Sequence, residues 1–403
     1  MGHSKRKAAA LVSGGLDSML AVRVIQDQGI EVEGLNFYTG FCVEGHTHAI
    51  RRQDQSKQKR NNALWVADQL GIRLHILDVI EEYKDVVLNP RHGYGANLNP
   101  CLDCKVFMVR KAKQWMDGHG CAFLISGEVL GQRPMSQRKE TLPVVQDESG
   151  VGDLLLRPLS AKRLPPTRPE REGWVDRSRL LDFHGRSRKP QMALAAHYGL
   201  QDYAQPAGGC CFLTNEQYAA KLADLWQSRG ERRYELDDII LLKVGRHIRP
   251  APHFKVIVAR EEGEGNFLHG YRKQHVALRS ISHAGPYALI DGTPSERDLV
   301  LARGREGEVG HPVGGAPGAQ LVRPEPPRDG QERVPALHHV IGRAAHRLRR
   351  GRLLRCSITG QLQFAARLQH RRFAHIVQPA QLGHARAGLG DRRPVHEHRA
   401  GEH

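Results

Sequence analysis

The 403-residue chain predicts a doubly wound parallel α/β sheet, then a smaller second α/β domain and an anomalous, disordered tail. Three observations carry that expectation. A short apolar strand (Ala8–Val12) runs through Ser13-Gly14-Gly15-Leu16-Asp17-Ser18 into an apolar helix ending near Gly29. Strand-like and helix-like stretches then alternate up to about residue 160, the signature of parallel strands joined by crossover helices. From Arg303 onward the composition changes abruptly.

Strand, glycine turn and helix together form a phosphate grip. The glycines let backbone N–H groups approach an oxygen closely, and the helix N-terminus adds partial positive charge. A general phosphate loop would end in Gly-Lys-Ser/Thr. Here an aspartate opens the helix instead, which suits an anion only when magnesium lies between them.

The following elements read in order. Glu31–Tyr38 is a second strand, and the polar segment 40–55, with His46 and His48, is a solvated loop. Ser56–Gly71 is a helix, Ile72–Val79 a third strand, and Tyr83–Leu88 a helix ending before Asn89-Pro90. A glycine- and asparagine-rich linker leads to Asn99-Pro100-Cys101-Leu102-Asp103-Cys104-Lys105, and a basic helix runs from Lys105 to Gly118. Cys121–Ile125 is a fourth strand ending at Ser126-Gly127-Glu128, and Leu154–Leu159 a further one. Ligands of such sheets bind beyond the C-terminal strand ends. The loop at Ser13, Phe37 and Gly127 should therefore converge.

Val175–Leu200 reads as helical, interrupted at Gly185 and Pro190, and Glu216–Arg229 as an amphipathic helix. Between them lies Pro206-Ala207-Gly208-Gly209-Cys210-Cys211-Phe212. Short β-like runs (Ile239–Val244, Lys255–Ala259, Ala288–Ile290) mark the second domain, 236–302.

The net charge of +17 favours a polyanionic partner, nucleic acid before membrane. No run of about eighteen apolar residues occurs, so no membrane span is expected. The N-terminus is basic, but the apolar stretch behind it is too short for a secretory signal. Residues 303–403 hold 18 Arg, no Lys and 10 His, and contribute +10 of the charge. Either this is a disordered arginine-rich RNA-binding arm, or the reading frame shifts near Ala302 and the remainder was never selected to fold.

Seven cysteines, four of them clustered, suggest reduced working thiols in a cytoplasmic protein. A helix N-terminus with Lys105 beside it favours a thiolate at Cys101 or Cys104. Four uses stay open: a structural zinc site, an iron–sulfur cluster on Cys101, Cys104 and one later cysteine, sulfur transfer through a persulfide and a second thiol, or inert core thiols.

With these motifs in place, the loop resembles the pyrophosphate loop (SGGxDS) of the PP-loop ATPases. Together with Asn-Pro-Cys-x-x-Cys and Ala-Gly-Gly-Cys-Cys-Phe it is similar to the tRNA thiolation enzymes, and most to the bacterial tRNA 2-thiouridylases (the MnmA, or TrmU, family). The resemblance covers roughly residues 7–215. It implies that Ser13, Gly14, Gly15, Leu16, Asp17 and Ser18 bind ATP, with Mg2+ near Asp17, and that Phe37 and Gly127 border the adenosine. Asn99 would lie near the target base, with Cys104 and Cys211 as the thiol pair and Cys210 and Cys101 beside them.

Two features depart from that family: Cys101 replaces an aspartate, and Ser126-Gly127-Glu128-Val129 replaces Thr-Gly-His-Tyr. The CxxC with a third cysteine is instead similar to the ThiI/TtcA-like thiolases, among which the TtcA type uses a [4Fe-4S] cluster. Arg157-Pro158-Leu159-Ser160 and the Gly185–Gln191 stretch resemble an MnmA-related group in which an NFACT-R-like RNA-binding region follows.

The implied organisation is a PP-loop ATP-binding domain (1–160), a helical, cysteine-bearing extension completing the site (161–235), a small α/β domain (236–302) and the tail (303–403). The implied activity is an ATP-dependent tRNA sulfurtransferase that adenylates a uridine carbonyl and inserts sulfur from a cysteine persulfide. Its partners would be tRNA, held by Arg133, Arg186, Arg188 and Lys189, and a sulfur donor such as a cysteine desulfurase or relay protein. Two readings from other classes compete. An ammonia-using PP-loop synthetase would need no paired cysteines. A non-catalytic RNA-binding protein would release no pyrophosphate.

Overall fold

The computed structural model describes residues 6–43, 61–200, 203, 211–280, 285–300, 302 and 319–322. Cys210, His46, His48, the first residues of the helix expected from Ser56 and nearly all of the tail lie outside them.

The N-terminal sheet is parallel throughout, in the order β3-β2-β1-β4-β5. Its strands are β1 (Lys7–Leu11), β2 (Glu31–Tyr38), β3 (Arg73–Asp78), β4 (Phe123–Ser126) and β5 (Leu155–Leu156). The crossovers include α1 (Leu16–Gln26), α2 (Asn62–Leu70), α3 (Ile80–Leu88), α4 (Cys101–Gly118) and α5 (Thr141–Ser149). Pleat alternation on β1 sorts the two faces. Ala8 and Ala10 join α1 and α2 in one core, while Ala9 joins Leu35, Leu124 and the apolar side of α4 and α5 in another. Both faces are covered, which is why these strands read as continuous apolar runs.

β1 lies between β2 and β4, so the chain leaves it in one direction and returns on the other side. That is the topological switch point, and the glycine loop follows β1 directly.

Beyond the sheet come α6 (Arg168–Arg171), α7 (Lys189–His197), α8 (Glu216–Arg229) and α9 (Leu236–Leu241). The expected helix over Val175–Leu200 shrinks to α7 and a single 3-10 turn at Arg177–Arg179. Pro190 does not interrupt a helix but starts one, since a proline in the first turn has no N–H to waste. The run from Ile239, read as a strand, begins inside α9. Glu235 and Asp238 form a reciprocal capping box there, each carboxylate accepting from the other's backbone N–H.

The second sheet is antiparallel, in the order β10-β8-β9-β7-β6. It comprises β6 (Arg246–Ala251), β7 (Phe254–Val258), β8 (Val276–Ser280), β9 (Ala288–Gly292) and β10 (Ala319–Val322), with α10 (Glu262–His269) between β7 and β8. Among the described residues every pair in this sheet is antiparallel, and the sheet takes an edge strand from beyond residue 302, the end expected for this domain.

Candidate functional site

Gly14 has a left-handed backbone (φ +82°), and a β-carbon there would sit 2.7 Å from the Ala63 nitrogen. Only glycine fits this turn, and α2 packs directly on it. Ser18 Oγ donates to the Gly15 carbonyl at 2.8 Å, fixing the first turn of α1.

Gly127, at the end of β4, approaches as closely. A β-carbon on it would lie 2.6 Å from the carbonyl carbon of Asp17 and from the nitrogen of Ser18. The loop after β1 and the end of β4 therefore meet, as the sequence predicts.

Asp17 is held from outside its own helix. Gln132 Nε2 donates to Asp17 Oδ2 at 2.7 Å, and Gln191 Nε2, on α7, donates to Gln132 Oε1 at 3.1 Å. Asp17 Oδ1 is buried without a hydrogen-bond partner among the described residues. An orphaned carboxylate oxygen at the start of a helix that follows a glycine loop fits a cation such as Mg2+. Gln191 closes the Gly185–Gln191 stretch singled out in the sequence, whereas Gln132 belongs to no recognisable motif and only its placement reveals it.

The basic stretch before α7 arrives in the same place. Gly185 N–H donates to the Leu130 carbonyl at 2.7 Å, two residues before Gln132. Arg188 Nε is buried without a partner among the described residues, while Arg186, Lys189 and Arg133 are exposed.

Behind Gly127, Glu128 is buried with Arg157, Nε to Oε2 at 2.9 Å, and with Lys105 at 3.6 Å. Burial alone would push its carboxyl up, but Lys105, Arg157 and the Ser126 hydroxyl hold it down to about 2. Lys105, expected beside the thiols, thus has Glu128 as an ion-pair partner.

The helix carrying the first cysteine pair begins at Cys101 itself, so Cys101 and Cys104 occupy the first turn of α4. Cys101 Sγ lies 3.5 Å from Ser136 Oγ. Cys104 and Cys211 are half-buried against one apolar cluster, which also receives Phe37. Cys211 Sγ is 3.9 Å from Asn99 Oδ1, joining the expected base-side residue to an expected thiol. Cys121 differs in kind: it is buried just before β4, and burial pushes its thiol up to about 11.

Two residues without a sequence signal complete the picture. Cys42 faces Cys211 across an isolated antiparallel bridge. Lys243, just after α9, donates to the Gly40 carbonyl at 2.5 Å and lies 5.0 Å from the centre of the Phe212 ring. Among the described residues, no group of three or more His, Cys, Asp or Glu is placed to hold a metal. The described cysteines do not fit a cluster site, because Cys101 turns to Ser136 and Cys211 to Asn99.

Residues 6–148 match the family model described as the tRNA methyl transferase HUP domain, and residues 245–304 match the NFACT protein RNA binding domain. A tRNA-specific 2-thiouridylase, MnmA 3, of Phocaeicola vulgatus is 27% identical over 157 residues, which is 38% of this chain and 40% of that protein. The MnmA of Christiangramia forsetii is 24% identical over 342 residues, 75% of this chain and 78% of that one. A crystal structure of a 4-thiouridine synthetase–RNA complex with bound ATP is similar at 24% identity and a TM-score of 0.30, covering 39% of this chain and 37% of that one. The chain thus spans less than half the length of the first of these relatives. Residues 6–148 are therefore similar to the HUP domain of that family model and to MnmA-type tRNA 2-thiouridylases, and residues 245–304 to the NFACT protein RNA binding domain.

Proposed function

We propose that the protein is an ATP-dependent tRNA sulfurtransferase acting on a uridine carbonyl. The observation that carries this reading is convergence. Gly127 contacts the start of α1, and Cys211, with Asn99 beside it, pairs with the segment that follows β2. The glycine loop and the thiol-bearing elements therefore share the C-terminal edge of one parallel sheet.

In this reading Ser13, Gly14, Gly15, Leu16, Asp17 and Ser18 hold the phosphates of ATP, and Phe37 and Gly127 border the adenosine. Mg2+ at Asp17 would stabilise charge developing on the departing pyrophosphate. The uridine carbonyl oxygen attacks the α-phosphorus, pyrophosphate leaves, and the oxygen becomes part of a good leaving group, AMP. The outer sulfur of a persulfide on Cys211 then attacks the activated carbon, and AMP departs. A second thiol must cleave the resulting S–S bond to free the thiocarbonyl. By resemblance alone that thiol would be Cys104, with Cys101 in the same helical turn.

The persulfide sulfur comes from a donor protein such as a cysteine desulfurase. The exposed Arg133, Arg186 and Lys189, together with Arg188 and the NFACT-type domain, supply the cationic surface for tRNA phosphates. A tRNA substrate and reduced thiols suit a cytoplasmic protein.

The test is pyrophosphate release and thionucleoside formation with ATP, tRNA and a persulfide donor. Wild type should release pyrophosphate in a tRNA-dependent way and form a thionucleoside. Cys211→Ser should keep the first and lose the second. Undiminished turnover with Cys104→Ser and Cys211→Ser would favour an ammonia-using synthetase, and tRNA binding without pyrophosphate release a non-catalytic RNA-binding protein.

A further inference from the structure

A thiol that no motif marks faces the proposed sulfur carrier. Cys42 and Cys211 are the paired residues of an antiparallel bridge, and Phe212 N–H donates to the Phe41 carbonyl at 2.9 Å. A hydrogen bond from the residue after one partner to the residue before the other defines the non-hydrogen-bonded type of antiparallel pair. Its α-carbons are about 4.5 Å apart and its side chains are at their closest. Disulfides span α-carbon separations of about 4.4–6.8 Å, so these two thiols can join without backbone movement.

The surroundings suit a reacting pair. Cys42 Sγ is 3.7 Å from the Phe37 carbonyl at the end of β2 and 3.6 Å from Thr39 Oγ1, on the sheet edge where the nucleotide loop opens. Lys243 reaches in from the second domain's side and binds the Gly40 carbonyl, two residues before Cys42, while its ammonium lies over the ring of Phe212, next to Cys211. Burial pushes that ammonium down to about 8, and the two groups that act the other way are Cys42 and Cys211. The lysine and the two thiols are thus electrostatic neighbours.

We propose that Cys42 is the thiol that resolves Cys211, the two forming a reversible cross-strand disulfide beside the Lys243 ammonium. The catalytic role rests on the sulfurtransferase reading; the pairing itself does not. After AMP has left, the transferred sulfur bridges the nucleoside carbon and Cys211 Sγ. The Cys42 thiolate attacks Cys211 Sγ, and the bond to the transferred sulfur breaks. Its electron pair stays on that sulfur, which becomes the thiocarbonyl. The Cys42–Cys211 disulfide left behind holds the two-electron oxidation, and a dithiol reductant returns both thiols.

The test starts with protein alone. The full chain carrying Cys210→Ser, which removes the ambiguity of the adjacent thiol, is oxidised with diamide, alkylated, digested without reduction and mapped by mass spectrometry. The expected main product is a Cys42–Cys211 linked peptide, unchanged when Cys104→Ser is added and absent when Cys42→Ser is added. Lys243→Gln should slow its formation about fivefold to tenfold by raising the cost of the thiolate. A Cys104–Cys211 peptide as the main product would overturn the proposal, as would disulfide yield unaffected by Cys42→Ser. Cys42→Ala, with thermal melting of every variant, separates loss of the thiol from loss of the fold.

A second arm reads catalysis. In a single turnover without reductant, Cys42→Ser should free at least tenfold less thionucleoside and accumulate a protein–tRNA adduct that dithiothreitol cleaves. Full release in that variant would overturn the catalytic role even if the disulfide forms. If no variant or wild type forms a thionucleoside while the linked peptide is present, the sulfurtransferase reading fails and the thiol couple stands.

Discussion

The two sheets of this protein differ in strand direction rather than in burial, since each carries apolar clusters on both faces, and direction decides what each can do. The parallel sheet is buried on both faces, and its functional edge is the set of C-terminal strand ends where loop, Gly127 and Cys211 gather. The antiparallel sheet begins and ends with edge strands, β6 and β10, that carry polar residues or come from a distant part of the chain. In the proposed reading the parallel sheet would build the reaction centre, the antiparallel sheet would offer a surface, and Lys243, between α9 and β6, would reach toward that centre. Lesions should divide accordingly: damage at the first sheet's edge removes chemistry, and damage in the second weakens RNA binding and stability.

The largest expected effect is at the contact between loop and strand. Gly127→Ala places a methyl against the backbone of Asp17 and Ser18, so α1 must shift. ATP-dependent pyrophosphate release should fall about 100-fold, because a shift near 1 Å at a reacting centre costs that much. Affinity for tRNA in a filter-binding assay should stay within a factor of about two, well under 1 kcal/mol. Equal losses of both would break the division.

Next comes the buried carboxylate behind it. Glu128→Gln leaves Arg157 buried with a weaker partner and should destabilise the first domain by about 3–5 kcal/mol, read by urea unfolding. Glu128 titrates near 2 when folded, below its ordinary value of 4.5. Its contribution is therefore complete above 4.5 and is lost as pH falls from there toward 2. The variant's stability should lack that acid-side slope.

A smaller effect concerns the far edge of the second sheet. A chain ending at residue 302 lacks β10, which pairs with β8. Its thermal midpoint should fall by about 4–8 °C for each kcal/mol removed, while pyrophosphate release at 25 °C is retained. An unchanged midpoint would mean that the edge strand adds nothing to the sheet. The smallest effect is electrostatic. Arg186→Ala with Lys189→Ala should weaken tRNA binding a few-fold and flatten its dependence on log salt by about 0.7–0.9 for each phosphate that is no longer neutralised.

How much of this the sequence shows follows from the same contrast. The glycine loop, the strand Glu31–Tyr38 and the helix Glu216–Arg229 are legible because burial on both sides or clear amphipathic spacing leaves a strong pattern, with Asn215 and Gly230 as caps. α5 is hidden by Pro143 in its first turn, where proline is tolerated but reads as a breaker. β6 is hidden by Arg246, Arg249 and Pro250 on a half-exposed edge. Ile239-Ile240-Leu241-Leu242 has no period to distinguish helix from strand, and only the Glu235–Asp238 capping box decides it.

The site follows the same rule. Ser13 through Ser18, Gly127, Asn99 and the cysteines of the two motifs are visible as residue types at set spacings. Gln132, Cys42 and Lys243 are not, because each matters only through a partner more than 50 residues away in the chain. Spacing in sequence cannot show a bridge between positions 42 and 211.

The most direct measurement is mass spectrometry of tRNA nucleosides from cells with and without this gene. One thiolated nucleoside should disappear on deletion, return with the wild-type chain and fail to return with Cys211→Ser. An identical set of thionucleosides in both cells, or full rescue by Cys211→Ser, would contradict sulfur transfer at this site.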